Sequence, residues 1–538
     1  MITTLISNEV IFSDLPETEY AANSNNEHIK KLGQFFTPFS IAHFMAKWII
    51  NNPKCKTILD PSVGLGIFLR AIIKESDIKL YQLIGYDIDP QVLKITKILF
   101  KNYDIDLINK DYMFNDWNSR YDGIICNPPY QRFQNYKNRN EILIEFQNQL
   151  GFTLSGLTNL HTLFLLKSIN QLSDNGRAAY ILPSEFLNAD YGVFIKRNLI
   201  KLKNLKYIII FNFNKNLFYN AITTSCILLF DNSINTTTVE FMEIKSLDDL
   251  LILEDQLYFY PKIQISPKTF LYEDLDANIK WRAYYQKQNA SMYKNLVSLA
   301  TYGKVVRGIA TGDNDYFIFN EQKKIEFKIE DKYLLPCLTK AHQVSSHFLT
   351  SESFEELKIS GKNIYLLNIT DITSSSIRKY IQLGEKLGIN KKYLTSHRTP
   401  WYAIENRLSA PILITVFNRN GLRFVRNETN VRNLTCFHCF YLDMFAIDKA
   451  DILMAYLITD VAREIFNDNR REYGDGLEKF EPNDLNNARV IDLQIISKNT
   501  IEEILKIYNS YRIATIQNRN DLTSLNSLNE IFHKLLLK

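Results

Sequence analysis

TILDPSVGLGIFLRAIIKE (57–75) decides how this chain folds. A short apolar run ends on Asp60, a turn with Gly64 and Gly66 follows, and an amphipathic stretch starts at Ile67. That is a strand, a tight turn and a helix. LIGYDIDPQVLKITKILF (83–100) repeats the pattern with Pro90 at the helix start. DLIN (106–109) and DGIICN (122–127) read as two more buried strands. NLHTLFLLKSINQLSDNG (159–176) reads as a helix ended by Asn175-Gly176, and RAAYILP (177–183) as the strand after it. Strands alternating with helices predict an α/β fold, a parallel sheet with helices on both faces. Such sheets bind ligands at the carboxyl ends of their strands.

The 538 residues suggest about two to four domains. With 46% hydrophobic and 23% charged residues the composition is globular, which excludes a disordered or fibrous chain. The 63 basic and 59 acidic residues leave a net charge of only +4. Residues 1–250 carry 25 of each sign and 251–538 carry 38 basic and 34 acidic. A polyanion partner is therefore met by local patches, chiefly in the second half. Six cysteines are too sparse for a disulfide scaffold. No run reaches the ~18–20 apolar residues of a membrane span, and the opening residues lack the basic cluster of a secretory leader. The expectation is a cytoplasmic protein with no membrane partner.

The unusual residues sit at the strand ends. Glycines after Asp60 let the backbone approach a ligand near a helix N-terminus; alone, this is a weak signal. Asp87 ends the next strand 23 residues beyond Gly64, near the ~20-residue offset at which a carboxylate accepts both hydroxyls of a ribose. The plainer reading is the acidic end of a buried strand or a cap for the helix that Pro90 opens. Asn127-Pro128-Pro129-Tyr130 is the sharpest signal. Two prolines after an apolar strand stiffen the backbone and remove two N–H donors, leaving carbonyls without local partners. The oxygens of Asn127 and Pro128 suit the two hydrogens of an –NH₂ on a planar ring, and Tyr130 offers a face for that ring.

GQFFTP (33–38), DPSVGLGIFL (60–69), GYDID (85–89), NKDY (109–112) and CNPPY (126–130), in this order, resemble the motifs of the gamma-class, TaqI-like DNA adenine-N6 methyltransferases of restriction–modification systems. The resemblance is strong over about 30–230. It is weaker over 290–490, where KVVRGIATGDNDYFIF (304–319), PWYAIENRLSAPILI (400–414) and YGDGLEKFEPNDL (473–485) are similar to that class's target-recognition regions. Ser62-Val63 and Leu65 depart from the commoner residues but leave the glycines in place.

This resemblance implies a Rossmann-like class I methyltransferase sheet with helices on both faces at 30–240, preceded by an N-terminal arm at 1–29. A connecting segment at 241–290 and a mixed α+β target-recognition domain at 291–538 would follow. It implies S-adenosylmethionine as cofactor, with Phe35, Thr37 and Pro38 at its methionine end and Asp60, Gly64 and Gly66 in its loop. Asp87 would hold the ribose, Ile88 would touch adenine, and Asp111 and Tyr112 would contact adenine by a hydrogen bond and by the ring. Asn127, Pro128, Pro129 and Tyr130 would form the catalytic tetrad. Phe218 would stack on the target base opposite Tyr130, although it reads equally as a core aromatic. The implied reaction methylates the exocyclic N6 amine of an adenine flipped out of double-stranded DNA, with no metal. The implied partners are double-stranded DNA and a separate cognate restriction endonuclease, and the protein would act as a monomer.

The second half must then select the sequence. Lys304, Arg307, Arg398 and Arg423 are its candidate DNA contacts, with Trp401, Arg419, Arg426 and Arg432 beside them. Arginine can read guanine or grip phosphate, and each could instead be a solvated charge. Thr311 to Asn314 read as a turn before the strand YFIF, and SLNEIFHKLLLK (527–538) as a closing amphipathic helix. Cys436-Phe437-His438-Cys439 lacks a second pair at finger distance, so no zinc site is expected. Asp231 with Glu243 and Lys245 imitates a nuclease pattern, but Asp231 ends a strand of the catalytic sheet; His161 is expected to be structural. Two alternatives stay open: the same chemistry on RNA or a protein glutamine, and a non-catalytic DNA-binding or cofactor-sensing module. Decay of Asn127 or of the glycine loop would mark the latter, and neither is decayed. A dinucleotide dehydrogenase leaves the tetrad unexplained.

Overall fold

The computed structural model describes residues 8–24, 33–131, 133, 136, 138–151, 159–189, 191–211, 225–234, 237–262, 265–419, 421–473 and 477–537. Two compact units divide the chain, the first running to Lys287 and the second taking Gln288–Glu472 and Leu477–Lys538.

The first unit is built on α1 (Leu15–Asn23), α2 (Phe39–Ile50), β1 (Thr57–Asp60), α3 (Ile67–Glu75), β2 (Gln82–Asp87), α4 (Pro90–Leu99), β3 (Asp106–Asn109) and β4 (Tyr121–Cys126). It continues through α5 (Arg139–Leu150), α6 (Leu160–Asn170), β5 (Leu172–Pro183), α7 (Gly192–Leu202), β6 (Leu205–Phe211), β7 (Ser225–Asp231), β8 (Thr238–Ile244), α8 (Leu247–Leu257) and β9 (Thr269–Leu271). The nine strands form one sheet in the order β3-β2-β1-β4-β5-β7-β6-β8-β9. β1 to β5 run parallel. β7 is antiparallel to both β5 and β6, and β9 is antiparallel to β8. The sheet is thus mixed rather than all parallel as expected; an apolar run such as SCILLFD reads the same in either direction, so the sequence did not reveal the reversal.

Alternate residues of these strands feed two cores. Leu59, Ile124, Tyr180 and Leu182 pack on one face with Leu163, Phe164 and Leu166 of α6. Ile58, Ile125, Ala179 and Ile181 pack on the other with Phe44 and Met45 of α2 and Phe68 and Ile72 of α3. Both faces are covered, so the strands read as continuous apolar runs. β2 lies on one side of β1 and β4 on the other, which places the topological switch point, and its crevice, at the carboxyl ends of β1 and β4.

Three expectations need correction. The helix predicted over 159–176 stops at Asn170, and Leu172, 4% exposed, already belongs to the sheet. Leu172 pairs with Tyr121 and Arg177 with Gly123, so the residues between them bulge, and Asn175-Gly176 marks that bulge. The segment 241–290, expected to connect domains, supplies β8 and β9 to the sheet and buries Trp281 completely. Its acidic, Pro-punctuated composition hid the apolar alternation of TVEFMEI. Thirdly, Asn314–Phe317 is a single helical turn capped by Asp313, and only Ile318–Phe319 of YFIF is strand.

Asp231, the first acid of the nuclease-like pattern, is fully buried and accepts from Arg177 Nε at 3.1 Å. The guanidinium lies 4.7 Å from the Trp48 ring and 5.1 Å from the Tyr260 ring. This carboxylate is a structural counter-charge.

In the second unit β10 (Gly303–Arg307), β11 (Ile412–Thr415), β12 (Phe424–Asn427) and β13 (Phe437–Leu442) form an antiparallel core. Helices α9 (Ala450–Leu457), α10 (Lys498–Ile516) and α11 (Leu522–Leu537) belong to the same core. Leu528, Phe532 and Leu536, four residues apart, form the buried stripe of α11. Among the described residues no helix is long and apolar enough to cross a membrane.

Candidate active site

At the end of β1, Asp60 is wholly buried; Oδ1 accepts from the Ser62 N–H at 3.1 Å, and Oδ2 has no partner. Burial pushes its carboxyl well above the usual range. Gly64 and Gly66 take φ of +52° and +77°, the left-handed region that favours glycine. A Cβ on Gly66 would lie 2.3 Å from the Phe100 ring, whereas nothing stands within 4 Å of one on Gly64, whose side faces open space. Asp87 closes β2. Its Oδ2 accepts from Gly64 N–H at 3.0 Å and its Oδ1 from Asp89 N–H at 2.8 Å, so the acid ties the glycine loop to the next strand. Burial raises its pKa to about 6 against those hydrogen bonds.

The tetrad follows β4. Asn127 Nδ2 donates to the Phe35 carbonyl at 2.8 Å and to Thr37 Oγ1 at 3.0 Å. With both amide hydrogens spent, the carboxamide has one orientation, and its Oδ1 is buried with no donor. Ser62 Oγ donates to the Asn127 carbonyl at 2.8 Å, and among the described residues no donor reaches the Pro128 carbonyl. The strap 33–38 lies directly against this corner. Tyr130 N–H donates to the Gly33 carbonyl at 3.1 Å, and the Phe35 and Tyr130 rings meet at 5.0 Å, tilted by 32°. Pro38 ends the strap as the N-cap of α2. Behind Tyr130, His161 meets its ring edge-on at 5.9 Å. Both nitrogens of His161 are buried without partners, and burial lowers its pKa to about 3, so the imidazole is neutral.

These strand ends open into one cleft, about 920 Å³ of empty space when its open mouth is counted. Phe35, Thr37, Gly64, Asp87, Ile88, Asp111, Tyr112, Asn127 and Pro129 all line it. Tyr112 borders the cleft, but its ring packs against Phe164 at 5.4 Å and its hydroxyl donates to Gln171. Asp111 accepts from Met113 N–H at 2.9 Å and from the Tyr136 hydroxyl. Phe218 lies outside the described residues. Six further lining residues carry polar groups that sequence reasoning missed: Glu17, Gln34, Ser62, Lys110, Gln131 and Tyr136. Of these, Glu17 Oε2 and Gln34 Oε1 are, like Asn127 Oδ1, buried acceptors without donors. Gln34, Ser62 and Lys110 stand inside recognisable motifs; nothing in sequence spacing links residue 17 to this place.

In the second unit the candidate DNA contacts separate. Lys304 and Arg307 are exposed on β10. Arg398 is not free: its guanidinium donates to the carbonyls of Ala310 at 2.6 Å and Thr311 at 2.8 Å. Arg423 likewise donates to Ser345 and Ala341 carbonyls at 2.9 and 3.1 Å. Arg426 holds Asp451 at 2.8 Å and Arg432 holds the Arg407 carbonyl at 2.6 Å. Arg398, Arg423 and Arg432 fold onto the chain where loop carbonyls lie within reach, and two donors each of Arg398 and Arg423 clamp loops. Arg419 is exposed, and Trp401 Nε1 donates to Glu385 at 3.3 Å. The thiols of Cys436 and Cys439 donate to Leu338 and Asn433, while His438 Nε2 meets the Phe480 carbonyl at 2.8 Å. These groups are engaged separately.

Comparison with known proteins places this geometry. The N-6 DNA Methylase family matches residues 9–257, and the C-terminal domain family of Type II methyltransferase M.Eco57I matches 279–525. Type II methyltransferase M.AccI of Acinetobacter calcoaceticus is 48% identical over 526 residues, 97% of either chain. Type II methyltransferase M.XamI of Xanthomonas campestris pv. amaranthicola is 24% identical over 475 residues, 86% of each. Among solved structures, the Type IIL restriction–modification enzyme MmeI in complex with DNA shares the fold at TM-score 0.56 and 13% identity, over 98% of this chain and 74% of that one. The DrdV–DNA complex does so at TM-score 0.55 and 12% identity, over 94% and 59%. With near-complete coverage at 48% identity and a methylase family over the cleft-bearing unit, the chain belongs to the Type II DNA adenine-N6 methyltransferases of restriction–modification systems.

Proposed function

We propose that the cleft holds S-adenosylmethionine and that the corner at Asn127 receives an adenine flipped out of double-stranded DNA. The orientation of Asn127 carries this reading. Its amide hydrogens are taken by Phe35 and Thr37, so a buried acceptor oxygen remains beside an unpaired Pro128 carbonyl. Two acceptors so placed fit the two hydrogens of an exocyclic amine.

The donor fits the residues present. The buried oxygens of Glu17, Gln34 and Asn127 are all acceptors, and the donor and the target amine bring N–H and O–H groups. Asp87 would accept the ribose hydroxyls, Gly64 leaves room for close approach, Gly66 and Asp60 hold the loop, and Phe35, Thr37 and Pro38 bound the methionine end. Ile88, Asp111 and Tyr112 would border the adenine end. S-adenosylmethionine supplies an electrophilic methyl on a sulfonium. The amine of adenine is a poor nucleophile because its lone pair is spread into the ring. Asn127 Oδ1 and the Pro128 carbonyl stabilise the positive charge that grows on the nitrogen as it turns tetrahedral. Pro129 and the strap fix these oxygens beforehand, so positioning supplies much of the remaining acceleration. Tyr130, with Phe218 proposed opposite, would stack on the extruded base and return roughly 1–3 kcal/mol per face toward the few kcal/mol of flipping. Lys304 and Arg307 would meet the duplex. The same reading makes the protein a cytoplasmic monomer working beside a separate restriction endonuclease.

Sequencing that detects modified bases, run on DNA from a host expressing the chain, is expected to show N6-methyladenine at one short word. Asn127→Ala is expected to abolish the mark while affinity for S-adenosylhomocysteine, measured by calorimetry, stays within about twofold. Full methylation by that variant would overturn the assignment.

A further inference from the structure

Helix α1 forms part of the cleft wall. Tyr20 packs with Leu65, Val92 and Leu99, and its ring meets Phe36 edge-on at 5.8 Å. Phe36 belongs to the strap and Leu65 to the glycine loop, so α1 rests on both. One turn earlier, Glu17 is buried, lines the cleft and pairs through Oε1 with Arg70 of α3. Arg70 is wholly buried, and it also donates to the carbonyls of Ile11 at 2.6 Å and Ser13 at 3.0 Å. The second oxygen, Oε2, is buried with no donor.

A carboxylate kept this way is costly unless something arrives to share it. Arg70 offsets one oxygen, yet burial outweighs it and leaves the Glu17 carboxyl above its usual pKa. The acids lining the cleft divide by partner: Asp87 grips Gly64 and Asp111 grips Tyr136, whereas Glu17 alone of the three keeps a buried oxygen without a donor. On the S-adenosylmethionine reading above, the donor carries one group that a lone buried carboxylate oxygen fits best, the α-ammonium of its amino-acid tail.

We infer that Glu17 is the ligand for that ammonium: Oε1 anchors α1 to Arg70, and Oε2 accepts an N–H from the donor's tail. Helix α1 is thereby a functional wall of the donor site, supplied by residues upstream of the strap.

The test is direct binding to the full-length protein by calorimetry, using S-adenosylhomocysteine, its deaminated analogue and 5′-methylthioadenosine, which lacks the tail. The wild type is expected to prefer S-adenosylhomocysteine over the deaminated analogue by at least about tenfold. Glu17→Gln keeps an oxygen for Arg70 and is expected to lose most of that preference, with methylthioadenosine affinity within about twofold. Glu17→Asp, which keeps the charge, is expected to fall between them. Equal binding of the two tailed ligands by the wild type overturns the inference whatever the variants do. So does Glu17→Gln with the preference intact, or with all three ligands weakened alike, which marks a purely structural wall. Failure of the wild type to bind any of the three sinks the cofactor reading itself, a different result from loss of the ammonium preference alone.

Discussion

Asn127 shows how one side chain is made into a tool by its neighbours. Either end of a carboxamide could face the cleft; Phe35 and Thr37 choose by accepting both amide hydrogens. Thr37→Val removes one acceptor of about 0.5–1.5 kcal/mol. Its single-turnover rate at saturating donor is expected to fall about 3- to 10-fold, and an unchanged rate would show that Phe35 suffices. Asp87 gives a pH signature. Its pKa, raised to about 6 by burial, means the carboxyl protonates as pH falls through 6 and then accepts fewer hydroxyl hydrogens. S-adenosylhomocysteine affinity should weaken below pH 6 by up to about tenfold per unit, and Asp87→Asn should bind weakly at all pH values with that dependence gone. For the protein without ligand the sign reverses. Folding takes up a proton between the unfolded value, 3.8, and about 6, so this group's contribution to stability falls as pH rises through that window.

Among elements, the strap 33–38 bears most on the site, since it touches the tetrad through Gly33, Phe35 and Thr37. Gly33 holds φ of +64°, and a Cβ there would stand 2.8 Å from Gln131 Cγ and 2.9 Å from Tyr130 N. Gly33→Ala therefore combines left-handed strain of about 1–2 kcal/mol with a clash against backbone. Relief by shifting the strap would lower the transfer rate and donor affinity together, measured by single turnover and calorimetry; a loss confined to one would show that strap and tetrad move independently. The sequence marks this element only as GQFFTP, and the need for glycine appears once the strap lies on residues 130–131. α6 carries a similar lesson. Its apolar face was legible, while its end at Asn170 was set by Leu172 entering the sheet beside Tyr121.

For the molecule as a whole, the first unit presents a cleft and the second a mixed α+β body with cations of two kinds. Arg398 and Arg423 each give two donors to loop carbonyls, and Lys304 and Arg307 stand exposed on β10. Lys304→Gln with Arg307→Gln is expected to weaken duplex DNA binding and flatten its salt dependence, by up to about 0.9 in log–log slope per lost phosphate contact. S-adenosylhomocysteine affinity should not change. An unaltered salt slope would remove the β10 face from the DNA surface.

Local sequence was enough to set the strands that carry the site, their loops and the tetrad. These depend on short-range rules: glycine where φ is positive, proline where a donor must vanish, apolar runs where both faces of a strand are covered. TILD and DLIN appear as strands with the bounds their residues suggest. What each polar atom faces was settled by packing between distant segments. That packing reversed β7, drew 241–290 into the sheet, turned Arg398 and Arg423 inward and brought Glu17 to Arg70 across 53 residues. Such choices turn on which buried donor finds which acceptor. That pairing is set by distance in space, and local periodicity carries no record of it.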